Sequence, residues 1–438
     1  MSNLADLIYQ AGVVGAGGAG FPTHVKAKAH VEYFLVNGAE CEPLIHKDFE
    51  LMVHHAEEIV RGTELMMAET GAAKGHICIK SKNKTAIDAI KKFISDPKLS
   101  VFELGDFYPS GDEYEIVHSA TGRLIPPGGI PLDVSCVVNN VESVFNIYQA
   151  SAGKPVTHKF VCVTGTVREP KTFWTPIGTT FQSLIDAAGG STLDKFGIYV
   201  GGVMMGKLTF DTSEVVTKTT TGLILLPTDH KLIERKNQPT EVMHKIGKSA
   251  CDQCSYCTEF CPRYLLGYDV QPHKVMRSLG FTGQSNSMWN VYADLCCSCG
   301  LCTLYACPED LFPKEACDKS KTENRANGIK HVQPKPPEVH PFKEGRRVPL
   351  KQLVKRLGLT DYETHTPFSD SVPETNRVVI QLKQHVGDPS FPKVSVGNRV
   401  NAGDIIAEPL LGKLGSIIHS SITGKVVEID QTSIIIEA

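Results

Sequence analysis

No stretch of this 438-residue chain approaches the ~18 consecutive apolar residues that a membrane-spanning helix needs. No membrane span is therefore expected. The opening MSNLADLIYQAGVVG has no basic segment followed by an unbroken apolar one, so no export signal is expected and the chain is read as cytoplasmic. A net charge of −3, from 45 basic and 48 acidic residues, lacks the bulk positive field of nucleic-acid binders. Low-complexity tracts are missing and 41% of residues are hydrophobic, which excludes disorder. At roughly 100 to 200 residues per domain, the length allows two to four domains.

Cysteine is too sparse for a disulfide scaffold, but its placement is uneven: nine of the 14 fall between Cys251 and Cys307. In a reducing compartment such crowding points to metal rather than disulfides. Cys251, Cys254, Cys257 and Cys261 form CxxCxxCxxxCP, closed by Pro262; Cys296, Cys299, Cys302 and Cys307 form CxxCxxCxxxxCP, closed by Pro308. Three thiolates at three-residue intervals wrap one side of a cuboidal cluster, and the fourth, followed by proline, ligates the partner cluster in two-cluster ferredoxins. Cluster I is thus assigned to Cys251, Cys254, Cys257 and Cys307, and cluster II to Cys261, Cys296, Cys299 and Cys302. The alternative is a zinc-stabilised interaction protein, but zinc needs two CxxC pairs rather than two triplets with trailing Cys-Pro. Cys297 is off register and is read as a bystander. Cys41, Cys78, Cys136, Cys162 and Cys317 have no partner spacing and read as small buried hydrophobes.

Strands at 32–38, 75–80 and 99–106 alternate with helical patterns near 48–70 and 84–95, which predicts a parallel α/β layer in the first ~150 residues. A strand at 161–167, a helix at 179–190 and a strand at 221–227 predict a small α+β unit. Pro334, Pro336, Pro337 and Pro341, among many charges, make 321–347 read as an exposed linker. A short helix at 349–358 precedes a strand-rich end with glycine turns.

The loop GAGGAGFPTHVK packs Gly15, Gly17, Gly18 and Gly20 ahead of Lys26. Glycine lets backbone N–H groups approach a phosphate or flat ring, and the lysine can neutralise phosphate. It is not a P-loop, since GKS and GKT are absent, and a tight structural turn is the alternative. Three more polar segments follow: NGAECEP (37–43), YPSGDEYEIVHSATG (108–122) and VVNNVES (137–143). Four in so short a span suggest one polar ligand. Glu50, Glu57 and Glu58 read as solvated surface carboxylates.

The ordered set GAGGAGFPTxxK, NGAECEP with Lys47 and Asp48, GDE at 111–113 and NNVES at 139–143 resembles the flavin- and NADH-binding subunit of respiratory complex I. It is more similar still to the RnfC family and to the cobalamin reductases of propanediol-utilisation microcompartments, over essentially the whole chain. That resemblance implies a multidomain α/β architecture. Its parts would be a Rossmann-like FMN/NADH-binding domain at 1–153, an SLBB β-grasp domain at 154–235 and a ferredoxin-type helical domain with two [4Fe-4S] clusters at 245–320. A linker with a short helix (321–374) and an all-β barrel-sandwich hybrid (375–438) would complete it. RnfC carries the last domain before the flavin domain, so its position at the end favours the cobalamin reductase branch. Lys413 lies in neither a biotin nor a lipoyl attachment motif, which leaves that domain a structural or docking role.

The resemblance further implies that Gly15, Gly17, Gly18, Gly20 and Lys26 lie against FMN and nicotinamide. Asn37, Glu40 and Asp112 would contact the flavin, Asn139 and Asn140 its phosphate and ribityl end, and Glu42 and Glu113 would meet NADH. Ala16 and Ala39 stand where complex I has arginine and aspartate. The implied chemistry needs no catalytic side chain: NADH gives a hydride to FMN, and electrons leave singly through cluster I, then cluster II, to an external acceptor. The acceptor would be cob(III)alamin or cob(II)alamin, with an adenosyltransferase and microcompartment shell proteins as partners. No DxHxxG corrinoid motif is present. The alternative is an electron-transfer adaptor without NADH oxidation of its own, RnfC-like or serving a reductase such as proline reductase.

Overall fold

The computed structural model describes residues 3–280, 287–371, 373 and 375–438. In the first unit, α1 (Leu4–Gln10) and α2 (Thr23–Ala27) bracket the glycine loop, and four parallel strands form the sheet β3-β2-β1-β5. These are β1 (Tyr33–Gly38), β2 (Lys74–Lys80), β3 (Leu99–Leu104) and β5 (Cys136–Asn140); a short β4 (Phe107–Tyr108) stands apart. Phe34 and Val36 point to one apolar cluster and Leu35 to another, so this central strand is buried on both faces, as parallel sheets require. The helical pattern at 48–70 becomes two helices, α3 (Lys47–His54) and α4 (Ala56–Thr70), because His55 leaves helical geometry between them. Then come α5 (Lys84–Lys91), α6 (Glu113–Thr121) and α7 (Val141–Ser151).

From β1 the chain winds outward to β2 and β3, then returns to place β5 on the other side of β1. The reversal opens a crevice at the carboxyl ends of β1 and β5, where open α/β sheets bind ligands. Register puts Val36 beside Asn139 and Asn37 beside Asn140. Two of the four polar segments therefore meet at this point.

The second unit holds β6 (His158–Gly165), β7 (Lys171–Pro176), α8 (Phe181–Ala187), β8 (Phe196–Val200), β9 (Lys207–Thr209) and β10 (Gly222–Pro227). The cysteine region follows as short helices, with Pro262 opening one directly after Cys261 and Pro313 opening the longer Pro313–Ala326. At the carboxyl end, two small sheets enclose Val378, Ile380, Ile406, Val426, Ile434 and Ile436.

The segment read as an exposed linker is more ordered than its prolines suggest. Lys343 is buried and donates to Glu115 at 2.8 Å, and Arg347 reaches the same carboxylate at 2.9 Å. Val348–Pro349 pairs with β4, and Phe368–Ser369 adds a strand beside β7. Glu50 is likewise not a surface carboxylate. It is buried, accepting from His365 Nε2 and the Phe368 N–H, both at 2.8 Å. Among the described residues, no helix is long and apolar enough to cross a membrane.

Candidate functional site: a flavin crevice facing two cysteine sets

The glycine loop closes on itself through Gly15 N–H to Phe21 O (2.9 Å) and Gly20 N–H to Gly15 O (3.1 Å). It lies against the start of α7, where Ala16 N–H donates to Ser143 Oγ at 2.9 Å. A Cβ on Gly17 would stand 3.3 Å from that of Asn140, whereas a Cβ on Gly18, at φ +124°, would meet nothing within 4 Å. Gly18 thus faces open space beside a helix N-terminus.

Asn140 caps α7, accepting from Glu142 N–H at 3.0 Å, and donates to Asp48 at 2.9 Å. Asn37 donates to Gly111 O at 2.9 Å, tying the 108–112 segment to the end of β1. Asn139 Nδ2 and Ser110 Oγ are buried without any hydrogen-bond partner. Such orphans are costly unless a ligand satisfies them. Together with the open face at Gly18 they fit FMN, the group implied for this crevice. Lys26 donates to Val138 O at 2.7 Å on the free edge of β5 and sits 3.8 Å from Glu113; burial lowers its pKa.

Beneath the crevice lies a buried ionic network. Glu142 accepts from Lys47 Nζ at 2.8 Å, from Lys159 Nζ and from Phe160 N–H at 3.2 Å. Burial alone would raise its pKa, but Lys159 and Lys47 outweigh that and hold it below the ordinary value. Glu40, at φ +38°, caps α3 by accepting from Asp48 N–H (2.6 Å) and Phe49 N–H (3.0 Å). Burial, then the Asp48 charge, push its carboxyl up to about 8. Sequence reasoning missed Lys159. Its one signal was a lysine inside the otherwise apolar strand KFVCV.

Glu42 and Asp112 are held by groups from other parts of the fold. Glu42 accepts from Met204 N–H and Met205 N–H of the second unit, each at 3.0 Å, and burial pushes its carboxyl up to about 7. Asp112 caps α6 through Tyr114 N–H (3.1 Å) and takes Arg263 Nη2 at 2.9 Å, with that guanidinium 3.4 Å over the Tyr114 ring. Arg263 follows the Cys261-Pro262 pair directly.

The cysteines fall into two spatial sets. Cys251, Cys254, Cys257 and Cys307 line one cavity with His273, Met276 and Leu311, and Cys254 is exposed. Cys261, Cys296, Cys299 and Cys302 gather on the other side: Cys261 packs with Cys296, and burial, reinforced by Cys296, Cys257 and Cys261, drives the Cys302 thiol far up. This second set abuts the flavin unit, since Tyr108 OH donates to Cys299 O at 2.7 Å. Cys297, read as a bystander, lies beside Cys299, and the Cys317 thiol beside Cys296. Among the described residues, no three His, Cys, Asp or Glu side chains converge as one bare ion would demand. The first set lines its cavity together with a cysteine from the second motif, and that exchange of a trailing Cys-Pro between triplets matches a cuboidal cluster better than zinc.

Four family matches tile the chain: a Nuo51 FMN-binding domain at 8–149, an SLBB domain at 160–208, a 4Fe-4S dicluster domain at 250–312 and an RnfC barrel sandwich hybrid domain at 362–437. The chain is 39% identical to cobalamin reductase PduS of Salmonella typhimurium over 432 residues, covering 98% of this chain and 95% of that protein. It is 38% identical to PduS of Citrobacter freundii over the same shares. With a subunit of the Na(+)-translocating ferredoxin:NAD(+) oxidoreductase complex of Acetobacterium woodii, identity is 35% over 60% of this chain and 58% of that one.

Proposed function

Because the chain belongs to the cobalamin reductase PduS family, we propose that it is an NADH-dependent reductase delivering single electrons to a corrinoid. Bound FMN and [4Fe-4S] groups supply the chemistry, the flavin exchanging a hydride for single electrons and the clusters carrying those electrons. The chain's own residues then have three tasks. Gly15 to Gly20, Asn37, Asn139 and Asn140 shape and satisfy the flavin crevice; the eight cysteines hold the clusters; the segment 108–112 joins the two.

The observation that carries this reading is the direct contact of crevice and cysteines: the segment whose Gly111 meets Asn37 also holds Cys299 through Tyr108. It also favours the reverse of the order that the resemblance implies. A cluster held by Cys261, Cys296, Cys299 and Cys302 would lie next to the crevice, and one held by Cys251, Cys254, Cys257 and Cys307 would be the outlet, where Cys254 reaches the surface. A corrinoid on its way to an adenosyltransferase, within a microcompartment, is the acceptor that the family relationship favours.

Ala16, Ala39 and the fully engaged Glu42 carboxylate favour a second reading, an adaptor that takes its electrons from a protein partner instead of NADH. One anaerobic experiment separates the two. Reconstituted protein is mixed with NADH while flavin and cluster absorbance are followed, with aquacobalamin and ferredoxin as parallel acceptors. Bleaching by NADH and reduction of aquacobalamin are expected. Bleaching by dithionite but not by NADH would overturn the reductase in favour of the adaptor.

A further inference from the structure

We infer that Glu42, Tyr108 and Asp112 are positioning residues: they bolt the inner cysteine set, Cys261, Cys296, Cys299 and Cys302, to the flavin crevice. The inference rests on the electron path proposed above and gives two of these side chains a role other than touching flavin or nicotinamide.

Each of the three has its polar atoms already committed. Both Glu42 oxygens are taken by the Met204 and Met205 N–H groups. Asp112 Oδ1 caps α6 and Oδ2 takes Arg263, in an ion pair whose side chains are 12% and 10% exposed. The hydroxyl of Tyr108, a fully buried residue, donates to Cys299 O.

The three contacts converge on one target from different directions. Arg263 sits two residues after Cys261, so Asp112 holds that ligand's strand of chain. Tyr108 holds the backbone at Cys299 itself. Glu42 holds the 202–205 loop, and Gly300 packs so closely on it that an added Cβ would lie 2.9 Å from Met204 O. Gly202 in turn leaves only 2.3 Å between its own missing Cβ and Glu42 Oε2. Glycine at these two places permits the backbones to approach, and the loop becomes a shim between the flavin unit and Cys299. Electron tunnelling falls steeply with distance, so fixing this spacing fixes the rate.

The test is a double-mutant cycle on Asp112→Asn and Arg263→Met, with Tyr108→Phe as a third variant that removes one hydroxyl and no charge. FMN occupancy, acid-labile sulfide and the electron paramagnetic resonance of both clusters are measured in the reconstituted protein. Hydrogen exchange over 107–114 and 296–302 and the rate of cluster reduction after flavin reduction are also followed. FMN and sulfide should be retained in all variants, exchange over 296–302 should rise, and cluster reduction should slow by about tenfold or more. The Asp112→Asn/Arg263→Met double variant should be no worse than either single one. Loss of FMN in Asp112→Asn but not in Arg263→Met would overturn the inference by making Asp112 a ligand contact. Should Arg263→Met fail to hold a cluster, Tyr108→Phe decides: unchanged exchange and unchanged rate overturn the inference. Exchange needs no NADH, so failure of NADH to bleach the wild-type protein sinks the proposed function alone.

Discussion

At the scale of single residues, Glu142 is the side chain on which most depends. It is shared by two lysines, Lys47 and Lys159, each about 1% exposed, directly under the crevice, and Asp48 is the second anion on Lys47. Removing one partner of a buried pair leaves an uncompensated charge, at a cost of about 3–5 kcal/mol. Glu142→Gln should lower the stability of the flavin-free protein by that much in urea denaturation, and adding Lys159→Met should restore part of the loss. Glu40 gives a pH signature. Its carboxyl holds a proton up to about 8 when folded but only to its ordinary 4.5 when unfolded. Its contribution to stability is therefore complete below pH 4.5, declines as pH rises, and is gone above about pH 8. Glu40→Gln should flatten that decline, measured as urea midpoints across the same range; an unchanged slope would assign the titration to another group. The motif NNVES singled out Asn140 and gave Glu142 no role of its own. It could not announce Lys159, which comes from a different unit of the fold.

At the scale of elements, the glycine loop separates shape from packing. Gly17 is pressed against Asn140, while Gly18 faces open space at a positive φ. Alanine at Gly18 therefore meets no protein atom but costs backbone strain of roughly 1–3 kcal/mol and projects a methyl into the cradle. Gly18→Ala should weaken FMN binding by about tenfold or more in a fluorescence titration, beyond any change in thermal midpoint. Unchanged affinity would place the flavin elsewhere. Elements with strong local signals were legible in the sequence: β1 and β2 as apolar runs, α8 with its glycine stop, and the two cysteine triplets with their prolines. Departures arose where tertiary contacts overrode local pattern. His55 broke one helical stretch into two, and the proline-rich stretch near 340 was drawn into order by Glu115. The direction of the Glu42 and Asp112 side chains was illegible too, because the groups that capture them lie more than 150 residues away in sequence.

At the scale of the whole molecule, the carboxyl-terminal unit acquires a task that its resemblance to carrier domains did not indicate. Lys218, from the second unit, is buried and donates to Gly12 O at 2.6 Å, Ile417 O at 2.7 Å and Ser416 Oγ at 3.4 Å. One side-chain amine thus joins the first, second and last units, and burial lowers its pKa to about 7. At the other end of the loop, Val386 N–H donates to Gly20 O at 3.0 Å. The carboxyl-terminal unit therefore meets the glycine loop at both ends, through Lys218 at Gly12 and directly at Gly20, without reaching the open face at Gly18. Lys218→Met would strand the buried Gly12 O at about 1–3 kcal/mol and free the Gly12 end, whereas Ile417 O keeps the Ser416 hydroxyl at 3.2 Å. Faster hydrogen exchange over 12–20 and 416–419 should follow, with weaker FMN retention although Lys218 touches no ligand. If exchange over 12–20 stays at the wild-type rate while the protein is globally destabilised, Lys218 is only a core residue and the loop is held by α7 and Val386 without it.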